Sequence, residues 1–234
     1  MAYAIILSGG VGSRMKDTST PKQYKEYKGM PVIGYCLKKF EEHDQIQWIY
    51  IAAEEEWHFY LKDFITKNDI SKFAGFTLPG KTRQYSILNS LKEMRKVVRD
   101  DDVIVIHDAA RPFVSKDIIS ECINLSAQED GAMPVLSVKD TVYYSEDGKE
   151  VTALIDRARV YAGQSPESFR FGKYYLANIN MEEHEFLKVC GSTEPAIISG
   201  MKIKLVEGDE KNFKITTPSD FERFIQICGE EEEE

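Results

Sequence analysis

The stretch from Ala4 to Lys22 constrains this chain more than any other. An apolar run, Ala4-Ile-Ile-Leu7, opens directly into Ser8-Gly9-Gly10-Val11-Gly12-Ser13-Arg14-Met15, and Pro21-Lys22-Gln23 follows. A short apolar run bounded by glycines reads as a buried strand of a parallel sheet. Glycines directly after it let the backbone turn tightly and bring bare N–H groups against a ligand's phosphates. Arg14 and Lys22 add the positive charge that a triphosphate requires. The spacing excludes two familiar phosphate loops. No Gly-x-x-x-x-Gly-Lys-Ser/Thr string occurs, and Met15 stands where a dinucleotide fingerprint built on Gly10 and Gly12 needs its third glycine.

Beyond the glycine loop, apolar runs alternate with helical patterns. Gln45–Ala53, Phe73–Leu78, Val103–Ile106, Ala132–Val138 and Lys202–Val206 read as strands. Ile33, Leu37 and Phe40 mark one helical stripe, and Ile87, Leu91, Met94 and Val98 mark a clearer one. Trp57–Lys67, Arg170–Asn180 and Thr193–Ser199 also read as helical. Ser115 is placed to cap a helix over Asp117–Gln128, and Thr217-Pro218-Ser-Asp220 reads as the capped start of a last helix. Asp140–Tyr144 and Glu150–Ile155 flank Ser-Glu-Asp-Gly148 and predict a polar hairpin that protrudes from the body. Gln164–Phe169 reads as a loop. The alternation predicts an α/β fold: a Rossmann-like, mostly parallel sheet flanked by helices, with the hairpin as an insertion. One domain is expected over 1–229, with an arm at 139–157 and an acidic tail, 230–234, predicted to be disordered.

Composition narrows the function classes. A net charge of −9, five units of it from Glu230–Glu234, argues against nucleic acid or an anionic membrane as the main partner. No signal segment or membrane span is visible, and the four cysteines and four histidines are scattered without metal-ligand spacing. The expectation is a cytoplasmic enzyme with reduced thiols, no zinc and a small-molecule substrate.

In an open parallel sheet, ligands bind beyond the carboxyl ends of the strands. Clusters at such ends are the glycine loop, Gly80–Ser86 and His107-Asp108-Ala109-Ala110-Arg111-Pro112. Asp108 is the candidate for a hard divalent cation, which takes carboxylate and phosphate oxygens together. A further loop, Asn212-Phe-Lys214-Ile-Thr216, supplies Lys214. The chain offers no evident nucleophile–histidine pair.

Taken together in order, these strings and Arg83-Gln84, Asp140-Thr141, Asp156-Arg157 and Gln164-Ser-Pro166 with Phe169 resemble the CDP-polyol-forming cytidylyltransferases, whose acceptors are 2-C-methyl-D-erythritol 4-phosphate or ribitol 5-phosphate. The resemblance covers nearly the whole chain. It implies CTP and Mg²⁺, a nucleotidyltransferase fold and a homodimer whose β-arms clasp. It further implies that Leu7, Ser8, Gly9, Gly10 and Gly12 wrap CTP, and that Gly80, Lys81 and Ser86 read cytosine and ribose. Arg14 and Lys22 would hold the triphosphate. Asp108 would hold the metal, beside Ala109 and Arg111, and Lys214 would face the α-phosphate and the acceptor phosphate. Thr141 and Arg157 on the arm would reach the acceptor in the neighbouring subunit, and Ser165 and Thr193 would offer it hydroxyls.

Two departures fall on the acceptor side. The family's usual Thr-Pro-Gln is here Ser165-Pro166-Glu167, and its Thr-Asp-Glu-Ala is Thr193-Glu194-Pro195-Ala196. Glu56-Trp57 and Tyr161–Gln164 look more like the ribitol-phosphate branch. A sugar-1-phosphate nucleotidyltransferase shares the Gly-Gly, Arg-Met and Pro-Lys pattern, but the His107–Pro112 string and the short length oppose it. A non-catalytic nucleotide-binding module would be expected to lose Arg14, Lys22, Asp108 or Lys214, and all four are present.

Overall fold

The computed structural model of the protein describes residues 1–10 and 20–230. In chain order, β1 (Ala2–Leu7) and a 3-10 turn (Lys22–Tyr24) lead to the short pair β2 (Glu26–Tyr27) and β3 (Met30–Pro31). Then come α1 (Val32–Glu41), β4 (Ile46–Ala52), α2 (His58–Lys67), β5 (Phe73–Thr77), α3 (Arg83–Met94) and β6 (Val103–Asp108). The second half runs α4 (Lys116–Gln128), β7 (Gly131–Ser137), β8 (Val142–Tyr144), β9 (Ala153–Ile155), β10 (Tyr161–Gly163) and β11 (Glu167–Arg170). It closes with α5 (Phe171–Ile179), α6 (Glu183–Phe186), α7 (Glu194–Ile198), β12 (Ile203–Glu207) and α8 (Pro218–Glu230).

The central sheet has the order β10-β7-β11-β6-β1-β4-β5, with β12 on the other edge of β7. β6, β1, β4 and β5 run parallel, as do β7 and β12. Successive residues of β1 face opposite sides. Ala4 and Ile6 pack with Ile33, Leu37 and Phe40 of α1, whereas Tyr3 and Ile5 pack with Ile87, Leu91 and Met94 of α3. Burial on both faces explains why these strands are apolar runs rather than alternating ones. The chain lays β4 and β5 on one side of β1 and then returns to lay β6 on the other. That reversal opens a crevice at the carboxyl ends of β1 and β6.

Most expected elements form. The Ser115 hydroxyl accepts from the Ile118 N–H and caps α4. Pro195 sits in the first turn of α7, where a missing N–H costs nothing. The hairpin is β8 and β9, with Val142 opposite Ile155. Two expectations fail. Gln164–Phe169 is not a free loop: β11 lies antiparallel between β6 and β7, with Glu167 opposite Ile106 and Phe169 opposite Ile104. The stretch is short and begins Ser-Pro, so periodicity could not mark it; what makes it a strand is the open edge of β6. The α3 stripe also overran, because the helix stops at Met94 and Val98 reaches the core from the turn beyond. Among the described residues no helix is long and apolar enough to cross a membrane.

Candidate active site

The described start of the glycine loop, residues 8–10, is braced by Gln23. The Gln23 side-chain amide donates to the carbonyls of Ser8, at 2.6 Å, and Gly10, at 3.0 Å. Ser8 is buried, and its hydroxyl donates to the Tyr24 hydroxyl at 2.8 Å. The Pro21-Lys22-Gln23 turn therefore fixes the loop's carbonyls while placing Lys22 on the cleft wall. Gly9 is required by a close approach, since a Cβ there would stand 2.4 Å from Cβ of Pro79 in the loop after β5. A Cβ on Gly80 would likewise meet Tyr85 at 2.3 Å. Between these loops and the end of β6 lies a cleft of about 510 Å³ that brings together Lys22, Lys81, Arg83, Asp108 and Lys214.

Asp108 anchors the cationic end. Its Oδ1 accepts from Arg83 Nε at 3.0 Å and its Oδ2 from Lys214 Nζ at 2.9 Å, while Arg111 Nε lies 3.8 Å away. Burial alone would raise this carboxyl, but Arg83, Lys214 and Arg111 outweigh it and hold it far below the usual carboxylate range. Arg83 bridges onward. Its Nη2 reaches Glu167 Oε2 at 3.1 Å and its Nη1 reaches the Ser192 hydroxyl at 2.7 Å. Burial works against the guanidinium charge, yet the two carboxylates overcome it and raise its pKa. Arg111, whose pKa burial lowers, donates from Nη1 to the Asn212 carbonyl at 2.6 Å. Lys214 is placed by its neighbours: Ile215 is buried and donates its N–H to the Ala110 carbonyl at 2.8 Å, and Phe213 packs with the aromatic cluster of α8.

His107 serves this frame and not the chemistry. Burial pushes its pKa down to about 4, so the ring is neutral near pH 7. Its Nε2 lies 3.0 Å from the Arg111 carbonyl, which can only accept, so Nε2 carries the proton. Nδ1 then accepts from the Ser165 hydroxyl at 3.1 Å, and that hydroxyl accepts from the Asp108 N–H at 3.1 Å.

The sequence-derived residues thus divide. Leu7, Gly9, Gly10, Lys22, Gly80, Lys81, Ser86, Asp108 and Lys214 all line the cleft. Gly12 and Arg14 lie outside the described residues. Ala109 faces the core and ties its N–H to the Leu7 carbonyl, and its neighbour Ala110 takes the cleft position. The Ser86 hydroxyl is engaged by Gly80 N–H and the Thr82 carbonyl, and Lys81 pairs with Glu183 at 3.3 Å. Ser165 is a buried brace, as above. Thr193 is half-buried beside Ser192, and it is Ser192 that bonds Arg83. Thr141 and Arg157 are exposed on the arm and do not line this cleft. Sequence reasoning missed Arg83 and Glu167 as site residues, and also Glu54, which lines the cleft after β4. Arg83 stood inside a recognised string, but only the fold joins it to Glu167.

Comparison with known proteins agrees with this architecture. The family model described as "IspD: 2-C-methyl-D-erythritol 4-phosphate cytidylyltransferase" matches residues 2–228. The chain is 28% identical over 239 residues to a ribitol-5-phosphate cytidylyltransferase of Streptococcus agalactiae serotype III (strain NEM316), spanning 100% of this chain and 98% of that protein. It is 34% identical over 230 residues to a 2-C-methyl-D-erythritol 4-phosphate cytidylyltransferase of Geobacter metallireducens, spanning 96% and 97%. Among solved structures, 4-diphosphocytidyl-2C-methyl-D-erythritol synthase from Anaerococcus prevotii superposes with a TM-score of 0.80 at 24% identity, over 97% and 96% of the two chains. With that match from end to end, the chain belongs to the IspD family of CDP-polyol-forming cytidylyltransferases.

Proposed function

We propose that the protein transfers CMP from CTP to D-ribitol 5-phosphate, forming CDP-ribitol and releasing pyrophosphate. The observation that carries the reaction is the convergence of Lys22, Lys214 and Asp108 on one cleft that Gly9 and Gly10 also line. In the step, an oxygen of the acceptor phosphate attacks the α-phosphorus in line, the new phosphorus–oxygen bond forms, and the α–β bridging bond breaks with pyrophosphate as leaving group. A phosphate oxygen is ionised near pH 7, so no strong general base is needed, in keeping with a neutral, buried His107. What the step needs is alignment of two polyanions and stabilisation of charge on the α- and β-oxygens. Lys22 on the loop side and Lys214 beside Asp108 supply positive charge for this, and Arg14, which lies outside the described residues, is proposed to add to it.

Magnesium belongs to the same reading. Among the described residues no three His, Cys, Asp or Glu side chains gather as a metal cluster. Asp108, a carboxylate held ionised on the cleft wall, would hold a cation that arrives with the triphosphate, since magnesium takes one or two carboxylates and completes its shell with phosphate oxygens and water. Bound there, it would withdraw charge from the phosphate oxygens. Lys214 would pass from Asp108 to the substrate as that carboxylate is taken up.

Support for ribitol phosphate comes from Glu56-Trp57 and Tyr161–Gln164, and from the full-length match to a relative of that name. The higher identity to the Geobacter relative favours 2-C-methyl-D-erythritol 4-phosphate as the second reading. We further propose a homodimer in which each arm lends Thr141 and Arg157 to the partner's acceptor site. Pyrophosphate release with CTP and Mg²⁺, compared across the two polyol phosphates and a sugar 1-phosphate, tests the assignment. A kcat/KM at least tenfold higher with ribitol phosphate is expected; the reverse preference moves the enzyme to the other branch.

A further inference from the structure

A carboxylate buried beside a triphosphate site opposes the ligand it should welcome, and this chain has placed one there. Glu167 stands where the family's usual string has glutamine. Its side chain is only 10% exposed, and Arg83 Nη2 lies on its Oε2 at 3.1 Å. The guanidinium it touches lines the cleft, yet each of its three nitrogens is engaged by protein: Nε by Asp108, Nη1 by Ser192 and Nη2 by Glu167.

We propose that Glu167 is a positioning residue: its charge holds Arg83 off the triphosphate, so that Arg83 stays on Asp108 Oδ1 and leaves Oδ2 as the one exchangeable oxygen. The inference rests on the cytidylyl-transfer reading. Three cations, Arg83, Arg111 and Lys214, surround two carboxylates, Asp108 and Glu167. Lys214 is one-third exposed and makes a single contact to Oδ2, so it can exchange for substrate. Arg83 must not do the same, because its release would leave Asp108 without the bond that fixes its plane. A guanidinium offered a triphosphate prefers it as a bidentate partner. A second carboxylate on the far side of the fork removes that preference. It does so from β11, which the sheet holds against the end of β6 with Glu167 opposite Ile106. Through Nη1 the same anchoring keeps the Ser192-Thr193 turn in register with Asp108.

Glutamine at this position would keep the shape and lose the charge, so Glu167→Gln is the informative change. Calorimetry with CTP in the presence of a chelator is expected to show binding about tenfold tighter in E167Q than in the wild type, as one positive charge is released toward the triphosphate. In the metal-supplemented assay kcat should fall at least about tenfold while KM for CTP does not rise, the pattern of ground-state binding gained at the expense of transition-state alignment. Glu167→Asp keeps the charge and should bind metal-free CTP as the wild type does; a packing role alone would make the two variants alike. Metal-free affinity and kcat of E167Q both within twofold of wild type would overturn the proposal. A wild-type crystal structure with CTP, independent of any variant, should show Arg83 still on Glu167, and a phosphate oxygen on Arg83 would defeat it. Absence of CTP binding by the wild type would remove the proposed function itself, whereas binding without the E167Q effect removes this inference alone.

Discussion

Lys22 and Lys214 reach one cleft from opposite ends of the sequence, Lys22 legible with Arg14 behind the glycine loop and Lys214 in the loop after the last strand. Lys22 stands on a turn whose neighbour Gln23 braces the glycine loop, and Lys214 rests 2.9 Å from Asp108. Both stand on the cleft wall before substrate arrives, and a donor already close to its place contributes strongly to a transition state. Lys22→Ala and Lys214→Ala are each expected to lose about 2.7–4 kcal/mol of transition-state stabilisation, read from kcat/KM, with the fold intact by circular dichroism. Near-normal turnover in either variant counts against the mechanism. Other residues were legible in place but not in role. Ser165 read as an acceptor-site hydroxyl and His107 only as part of the string around Asp108, and the fold uses both as braces behind Asp108. A hydroxyl in a string cannot declare which way it points. Glu167 was visible as an added negative charge, while its partner Arg83 lies 84 positions away in sequence, and no local pattern links them.

At the scale of elements, periodicity found the strands with two buried faces and the helices with clear stripes. It missed β11, whose identity as a strand is conferred by β6 and β7 on either side. Phe169 shows how much that placement secures: it is fully buried and stacks on Tyr174 with ring centroids 4.0 Å apart. Phe169→Ala is expected to destabilise the protein by about 3–5 kcal/mol in denaturant unfolding. Phe59→Ala on α2, where the side chain is 86% exposed, should move stability by no more than about 0.5 kcal/mol. Equal effects at the two positions would mean that β11 is not part of the cooperative core.

For the whole molecule, the arm is an insertion with adjoining ends. Ser137 at the end of β7 pairs with Tyr161 at the start of β10, so the chain leaves and re-enters the sheet at neighbouring positions. Tyr143, Val151 and Leu154 are exposed by 60%, 67% and 68%, and in the proposed homodimer this apolar surface would meet the partner's arm. Replacing 138–160 by a short turn is expected to give a folded protein that sediments as a monomer and binds CTP normally. It should lose most of its kcat/KM for the acceptor, because Thr141 and Arg157 go with the arm. A variant that remains dimeric, or that keeps full acceptor kinetics, would refute the shared site.

The edge of β6 that β11 covers is made before β11 itself. β1, β4, β5 and β6 precede α4 in the chain and can assemble among themselves as a parallel half-sheet. Until Glu167–Arg170 has been made, the outer edge of β6, Val103–Ile106, has no strand to pair with. That edge is apolar and its backbone groups are open, the kind of surface through which nascent chains join one another. The strand that carries the site's second carboxylate is thus also the one that closes the half-finished protein to its neighbours on the ribosome.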